Sequence, residues 1–381
     1  MDFELSEELA MVRDMARDFS VSELAPRAAK HDRQGFIDPE VFTQLGELGL
    51  WGLTIPEEYG GAGMGNLALS IVLEELNHAC ASTGVTVSVH NSLLGAPLRR
   101  FGTREQRERW LPRLATGETV GCYCLTEPNA GSDAAALATT ARQDGDEWVL
   151  DGTKIWVTNG GIAGLAIVYA RTEPEASRAK GISAFLVPMD TPGVVIGKPE
   201  RKTGIRGSST TEVVLEGVRV PAENLLGERD RGFMIAMDTL DGGRIGIASQ
   251  AVGIGRACLD ASIAYARDRE QFGRPIGDFQ AVQWKIADMA TRLDAARLLT
   301  HRAAAVRDAG GRCSLEAAQA KLAASTTANF CADECLQIHG GAGYTDDFEV
   351  ERLFRDARIT EIYEGATDIQ RIVISRSLLS A

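Results

Sequence analysis

Two polar segments in the middle of the chain carry side chains suited to holding a flat or charged ligand. YCLTEPNAGSD, residues 123–133, ends in a small-residue turn. Its backbone N–H groups and the hydroxyls of Thr126 and Ser132 can meet an electron-rich ring or a phosphate, and the same residues suit an ordinary strand and turn. GTKIWVTNGG, residues 152–161, sets Trp156 and Thr158 two apart, so on a strand both face one side. An aromatic plate beside a hydroxyl donor fits a flat heterocycle, with a core tryptophan as the plainer alternative. Farther on, DREQFG at 268–273, followed by Phe279 and Gln280, combines an arginine, amides and aromatics at the end of a long helix that stops at glycine. QIHGG at 337–341 puts two glycines where a helix ends, so backbone can approach a phosphate without a Cβ in the way. One carboxylate, Glu364, precedes a glycine in YEGATDIQR at 363–371. Such a residue is ordinarily part of a loop; in a dry pocket its basicity rises toward the working pH and it can take a proton from carbon.

Two other patterns carry little. Cys331, Cys335 and His339 are four apart and would share a helical face, but they supply only three groups, and His339 lies within the QIHGG segment. No metal is expected. The glycines of 60–65 do not give GxGxxG spacing and no strand-to-helix unit surrounds them, so nicotinamide is not the expected acceptor.

The scaffold that must position these residues is large. At 381 residues, two or three packed domains are expected, enough to bury a sizeable cofactor. With 44% hydrophobic and 24% charged residues the composition is that of a globular protein, and the longest apolar runs are strand-sized, so no membrane insertion is expected. The formal charge of −13 disfavours nucleic acid or an anionic membrane as main partner. Seven scattered cysteines and an acidic, non-secretory start point to a reducing compartment: prokaryotic cytoplasm, or mitochondrial matrix for a processed eukaryotic form.

Apolar spacing predicts helices over 5–19, capped by Ser6, over 67–80, and over 104–114, the last opened by Thr103 and Gln106 as a capping box. Between about 120 and 220 the texture changes to short β-rich runs at 147–150, 165–170, 182–187 and 212–215, with a surface loop at 172–180. Long helical stretches then follow at 232–269, 278–308, 315–338 and 368–379. Their length suits a four-helix bundle. The order is helices, sheet, helices, and strands do not alternate with helices as a doubly wound fold requires.

Several of these motifs occur together and in order, with PEEYGGAG at 56–63 preceding the rest. Over essentially the whole chain the sequence resembles the acyl-CoA dehydrogenase family, and TLDGGRIGIASQ and FRDARITEIYEG are most similar to its short-chain, butyryl-type members. The resemblance implies an α+β, mostly α fold. An N-terminal helical domain covers 1–118, a middle β-barrel 119–226 and a C-terminal four-helix bundle 227–381, assembled as a homotetramer. It also implies FAD as cofactor, an acyl-CoA substrate and electron-transferring flavoprotein as electron acceptor.

Carried onto this chain, the family's contacts place Tyr123, Thr126, Ser132, Trp156 and Thr158 against the flavin, with Thr158 near N5 and Ser132 also touching substrate. Arg269, Gln271, Phe272, Phe279 and Gln280 would hold the pyrophosphate and adenosine end. The loop of Gln337, Gly340 and Gly341 is one that relatives donate across a subunit interface. Ala366, Thr367 and Asp368 would complete the cofactor contacts, although the family usually has threonine where Ala366 stands. Glu364 matches the catalytic base: it would take the α proton as the β hydride moves to flavin N5, giving the trans-2-enoyl-CoA. Gly365, Asp241 and Arg244 would contact substrate. Gly243 occupies the position from which isovaleryl and long-chain relatives supply their glutamate, and Gly84 the place of an arginine in glutaryl-type relatives, so a dicarboxylyl substrate is disfavoured. Two rival readings remain at this stage: an oxygen-using flavin oxidase or monooxygenase on the same scaffold, and a non-enzymatic acyl-CoA-binding protein.

Overall fold

Capping side chains and apolar periodicity set the first third of the chain. In the computed structural model, which describes residues 4–380 other than 174 and 177, this part forms α1 (Glu7–Phe19), α2 (Ala25–Gln34), α3 (Pro39–Glu47), α4 (Asn66–Ala79), α5 (Ala81–Val89), α6 (Ala96–Phe101) and α7 (Arg104–Ala115). Positions 174 and 177 fall within the expected 172–180 loop and lie outside the described residues. Ser6 accepts a bond from the Leu9 N–H at 3.3 Å. The Thr103 capping box closes in both directions, at 3.2 Å and 3.0 Å. α4 is buried on nearly every side, and its two buried carboxylates, Glu74 and Glu75, are paired with Arg17, Arg256 and Arg297. α5 runs on into a wider π-type turn, His90–Gly95, which carries Leu93 toward the centre of the molecule. Such turns are frequent at functional sites.

The expected barrel takes the form of one eight-stranded sheet. Its strands are β1 (Gly121–Cys124), β2 (Thr140–Asp144), β3 (Glu147–Thr158), β4 (Leu165–Arg171), β5 (Ile182–Pro188), β6 (Val194–Ile196), β7 (Thr210–Pro221) and β8 (Leu225–Leu226). The order is β6-β7-β3-β2-β4-β5-β8, with β1 parallel to β4. β4 and β5 are buried on both faces. Ala166, Val168, Phe185 and Val187 fill the sheet's own core, while Leu165, Ile167, Ala184 and Leu186 pack toward α6, α7 and the next helix. That double burial is why the LAIVYA run is continuously apolar rather than alternating.

α8 (Gly232–Asp268) spans 37 residues and leaves the sheet to become the axis of the last third. A short hairpin, β9 (Glu270–Gln271) with β10 (Arg274–Pro275), turns the chain into α9 (Gln280–Asp308). α10 (Ser314–His339), α11 (Val350–Arg358) and α12 (Thr367–Leu379) complete the bundle. Sequence periodicity locates α8, α9, α10 and α12 to within two residues or so. It misses α11, whose apolar positions are few. No helix among the described residues is long and apolar enough to cross a membrane.

Candidate active site

Glu364 lies in the tight turn between α11 and α12, and the turn uses two successive left-handed residues, Glu364 at φ 50° and Gly365 at φ 92°. A non-glycine residue in that region costs about 1 kcal/mol and persists only where its surroundings impose it. Here both lone pairs of the Gly365 carbonyl are taken, by Lys321 Nζ at 2.6 Å and Gln370 Nε2 at 2.7 Å. The turn aims the carboxylate at α8. A Cβ built on Gly243 would sit 1.9 Å from Glu364 Oε2 and 2.7 Å from a Leu93 methyl, so only glycine admits the carboxylate at this point. Oε2 is enclosed and finds no hydrogen-bond partner among the described residues. Burial pushes the Glu364 carboxyl up to about 7, opposed by the positive charges of Lys321 and Arg244.

The walls around this carboxylate come from several elements. Tyr363 donates its hydroxyl to Gln250 Oε1, and Gln250 Nε2 reaches the Ala81 carbonyl at 3.4 Å, tying the turn through α8 to α5. Asp241 and Arg244, which as i,i+3 neighbours on a helix could have been a surface pair, are buried and bonded at 2.6 Å. Ser314 donates to the second Asp241 oxygen. It also lines a cavity of about 380 Å³ with Arg312, Leu315, Arg376, Ser377 and Ser380. Gly84 backs onto α4, where a Cβ would meet the Asn77 amide at 2.2–2.4 Å. Asn77 thus fills the space a larger residue at 84 would need.

Tyr123 joins the sheet to this centre. Its ring packs against Tyr169 at 5.1 Å, its hydroxyl donates to the Ala236 carbonyl at 3.4 Å, and it lies within electrostatic reach of Glu364. Thr126 and Trp156 are brought together because the Ile155 N–H bonds the Thr126 carbonyl at 2.9 Å. A buried ion pair fixes both segments: Lys154 Nζ to Glu127 Oε1 at 2.7 Å, with Glu127 also accepting the Ala138 and Thr139 N–H groups at 2.6 Å and 3.0 Å. Regular alternation does not orient Trp156. The β3–β7 register slips between Lys154 and Val157, and Trp156 sits at φ 57° with 58% of its surface exposed. Thr158, beyond the slip, is half-buried, and Ser132 stands exposed at the tip of its turn.

The remaining expected contacts lie elsewhere. Arg269, Gln271, Phe272, Phe279 and Gln280 gather at the β9–β10 hairpin, where Phe272 has φ 55°, is 94% exposed and meets Phe279 edge-on at 5.9 Å. Gln337, Gly340 and Gly341 are exposed at the end of α10, near that hairpin through the stacking of His339 on Tyr265 at 4.2 Å. His339 Nδ1 is engaged by the Cys335 carbonyl at 2.8 Å. The hairpin follows Gly243 by roughly 26 residues of α8, so about 39 Å of helix separates it from Glu364 within one chain. Within one chain the two groups of residues therefore stand toward opposite ends of α8.

Ala366 caps α12 with extended backbone, φ −54° and ψ 157°, but offers no side-chain acceptor. Thr367 Oγ1 turns inward to the Glu361 carbonyl at 3.1 Å and Asp368 outward to Arg371 at 2.9 Å. Ala366→Ser is therefore expected to stabilise α12 by about 1 kcal/mol, read as a higher urea midpoint with an unchanged slope.

Lys321, Gln370, Gln250, Ser314 and Leu93 were not singled out from sequence. Lys321 did leave a trace: it interrupts the alanines Ala317, Ala320 and Ala324 of AAQAKLAAS, all of them buried.

The residues present suit FAD. An exposed indole held in strained backbone beside hydroxyl donors is a surface that a flat ring covers, and Tyr123 on the same sheet lies within electrostatic reach of Glu364.

Comparisons with known proteins agree with the three-part fold. Three family models match: acyl-CoA dehydrogenase N-terminal domain over 6–118, middle domain over 122–218 and C-terminal domain over 230–379. The mitochondrial short-chain specific acyl-CoA dehydrogenase of Mus musculus is 51% identical over 376 residues, covering 99% of this chain and 91% of the relative. Among solved structures, butyryl-CoA dehydrogenase from Megasphaera elsdenii superposes with a TM-score of 0.97 at 42% identity, with both chains fully covered. A chain from a structure of the electron transferring flavoprotein of Acidaminococcus fermentans gives 0.98 at 45% identity, again with full coverage of both.

Proposed function

The chain belongs to the FAD-dependent acyl-CoA dehydrogenase family, and from that premise we propose that it oxidises a short acyl-CoA to the trans-2-enoyl-CoA with Glu364 as the base. The observation that carries this reading is the enclosed, unpartnered Oε2 of Glu364, facing a glycine where any side chain would obstruct it. A buried carboxylate without a partner is unfavourable in a merely structural position. It is what proton abstraction from carbon needs.

Glu364 takes the α proton of the thioester, and its raised pKa matches its basicity to neutral pH. Tyr363, Gln250 and Leu93 exclude water from the carboxylate, which keeps it basic. The Glu364 N–H, fixed by the turn, is the donor suited to polarise the thioester carbonyl. Asp241, Arg244 and Ser314 form the polar wall on the CoA side. FAD bound against Tyr123, Thr126, Trp156 and Thr158 supplies the acceptor for the hydride lost from the β carbon. The short-chain assignment is supported by the names of the relatives. Electron-transferring flavoprotein as final acceptor is supported by the family likeness and by the flavoprotein structure whose chain this one matches. The separation along α8 supports a second copy, within the proposed homotetramer, covering the exposed hairpin and the 337–341 loop and completing the cofactor site.

Anaerobic addition of butyryl-CoA to the yellow holoenzyme is expected to bleach the flavin. A fully flavinated protein that no short acyl-CoA reduces would remove the assignment, and rapid peroxide formation in air would favour the oxidase reading instead. The pH dependence follows from Glu364. The group acts deprotonated and its pKa is raised to about 7, so bleaching rates for the free enzyme should fall about tenfold per pH unit below 7 and level off above it. A flat profile between pH 5.5 and 8 contradicts this.

A further inference from the structure

Lys321 lies fully buried in the first third of α10 and enters no ion pair among the described residues. Its single hydrogen bond, to the Gly365 carbonyl at 2.6 Å, does not by itself offset the cost of burying an ammonium. The charge that faces it is Glu364, the residue just before that carbonyl. We propose that Lys321 is a positioning residue for the base: its ammonium anchors the left-handed Glu364–Gly365 turn and supplies the positive charge that faces the carboxylate. The inference rests on the reading of Glu364 as base.

Other charged and titratable groups around Glu364 come from three elements and its own turn. Arg244 on α8 is already bonded to Asp241, Tyr123 on β1 and Tyr363 are neutral phenols, and Glu361, which also acts on Lys321, is paired with Arg358 at 2.6 Å. Lys321 is therefore the cation not already committed to another carboxylate. Burial lowers the Lys321 pKa to about 8 while Glu364 and Glu361 hold it up, and Lys321 in turn opposes the rise at Glu364. Gln370 shares the mechanical half of the task. It is fully buried and donates to the same carbonyl at 2.7 Å, but carries no charge.

The two residues thus separate geometry from electrostatics, and the test uses that. In the FAD-loaded enzyme, the infrared carbonyl band of protonated Glu364, identified by its loss in Glu364→Gln, is titrated alongside the rate of flavin bleaching by butyryl-CoA. Lys321→Gln keeps a donor and removes the charge, and is expected to move both midpoints upward by about one pH unit. Lys321→Arg should bring them back. Gln370→Leu should slow bleaching without moving either midpoint. Unmoved midpoints in folded, flavinated Lys321→Gln overturn the proposal. If that variant does not fold, the reciprocal measurement decides. The 13Cε resonance of Lys321 should titrate at lower pH in Glu364→Gln than in the wild type, and equal midpoints overturn the proposal. Normal bleaching by Glu364→Gln would instead defeat the base assignment, so the two failures are distinguishable.

Discussion

Glu364→Gln is expected to retain FAD and lose at least about 10³-fold in the rate of bleaching by butyryl-CoA. The substitution preserves size and the polar end, and the turn that holds residue 364 is anchored through the Gly365 carbonyl rather than through the side chain. What disappears is the proton acceptor. A second effect has the opposite sign. The folded-state pKa of Glu364, about 7, lies above its ordinary value of 4.5. Between those two pH values the native state binds more protons than the unfolded chain, and stability falls as pH rises through the window. The glutamine variant should therefore be more stable than the wild type at pH 8, by on the order of 2 kcal/mol, and indistinguishable from it near pH 4. Equal denaturant midpoints at pH 8 would mean that the carboxylate is not desolvated, and a surviving rate within tenfold of wild type would remove Glu364 from the base role.

Gly243→Ala is expected to cost about 10²-fold in bleaching rate with little change in FAD content. A methyl group there would lie 1.9 Å from Glu364 Oε2 and 2.7 Å from Leu93, so the carboxylate must retreat, and a displacement of about 1 Å at a reacting group has consequences of that size. The same proximity makes the converse experiment informative. With Glu364→Gly opening the space, Gly243→Glu places a carboxylate on α8 at the same spot, and the double variant is expected to recover at least tenfold over Glu364→Gly alone. Wild-type rates in Gly243→Ala would show that α8 does not wall the reaction site. Failure of the double variant to exceed Glu364→Gly would show that proximity alone does not place the base.

Much was determined by the sequence itself, because local rules act within a few residues of their signals. Ser6, Thr103 and Gln106 cap the helices they were expected to cap. The apolar periods place α8, α9 and α10, and the continuous apolar runs at 165–170 and 182–187 are strands buried on both faces. The family, the mostly helical three-part fold and the flavin cofactor follow from motifs that occur together and in order. The motifs also marked Glu364 as the proposed base, but not the backbone conformation and burial that suit it to that role.

Those were decided by the tertiary structure. A left-handed backbone at Glu364 cannot be read from YEGATDIQR alone. Gln370 within that segment bonds the Gly365 carbonyl, but the second bond to the same carbonyl comes from Lys321 on α10, far back in the chain. Trp156 is turned outward by a register slip against β7, a partner more than fifty residues away. Asp241 and Arg244 share a helix face in sequence, yet are buried because α10 closes over them with Ser314. The distance along α8 between the Glu364 turn and the Phe272 hairpin likewise emerges only once the helix is seen as one continuous element. Desolvation, charge pairing and span are properties of packing between distant segments, and a linear pattern records the residues involved without recording which of them meet.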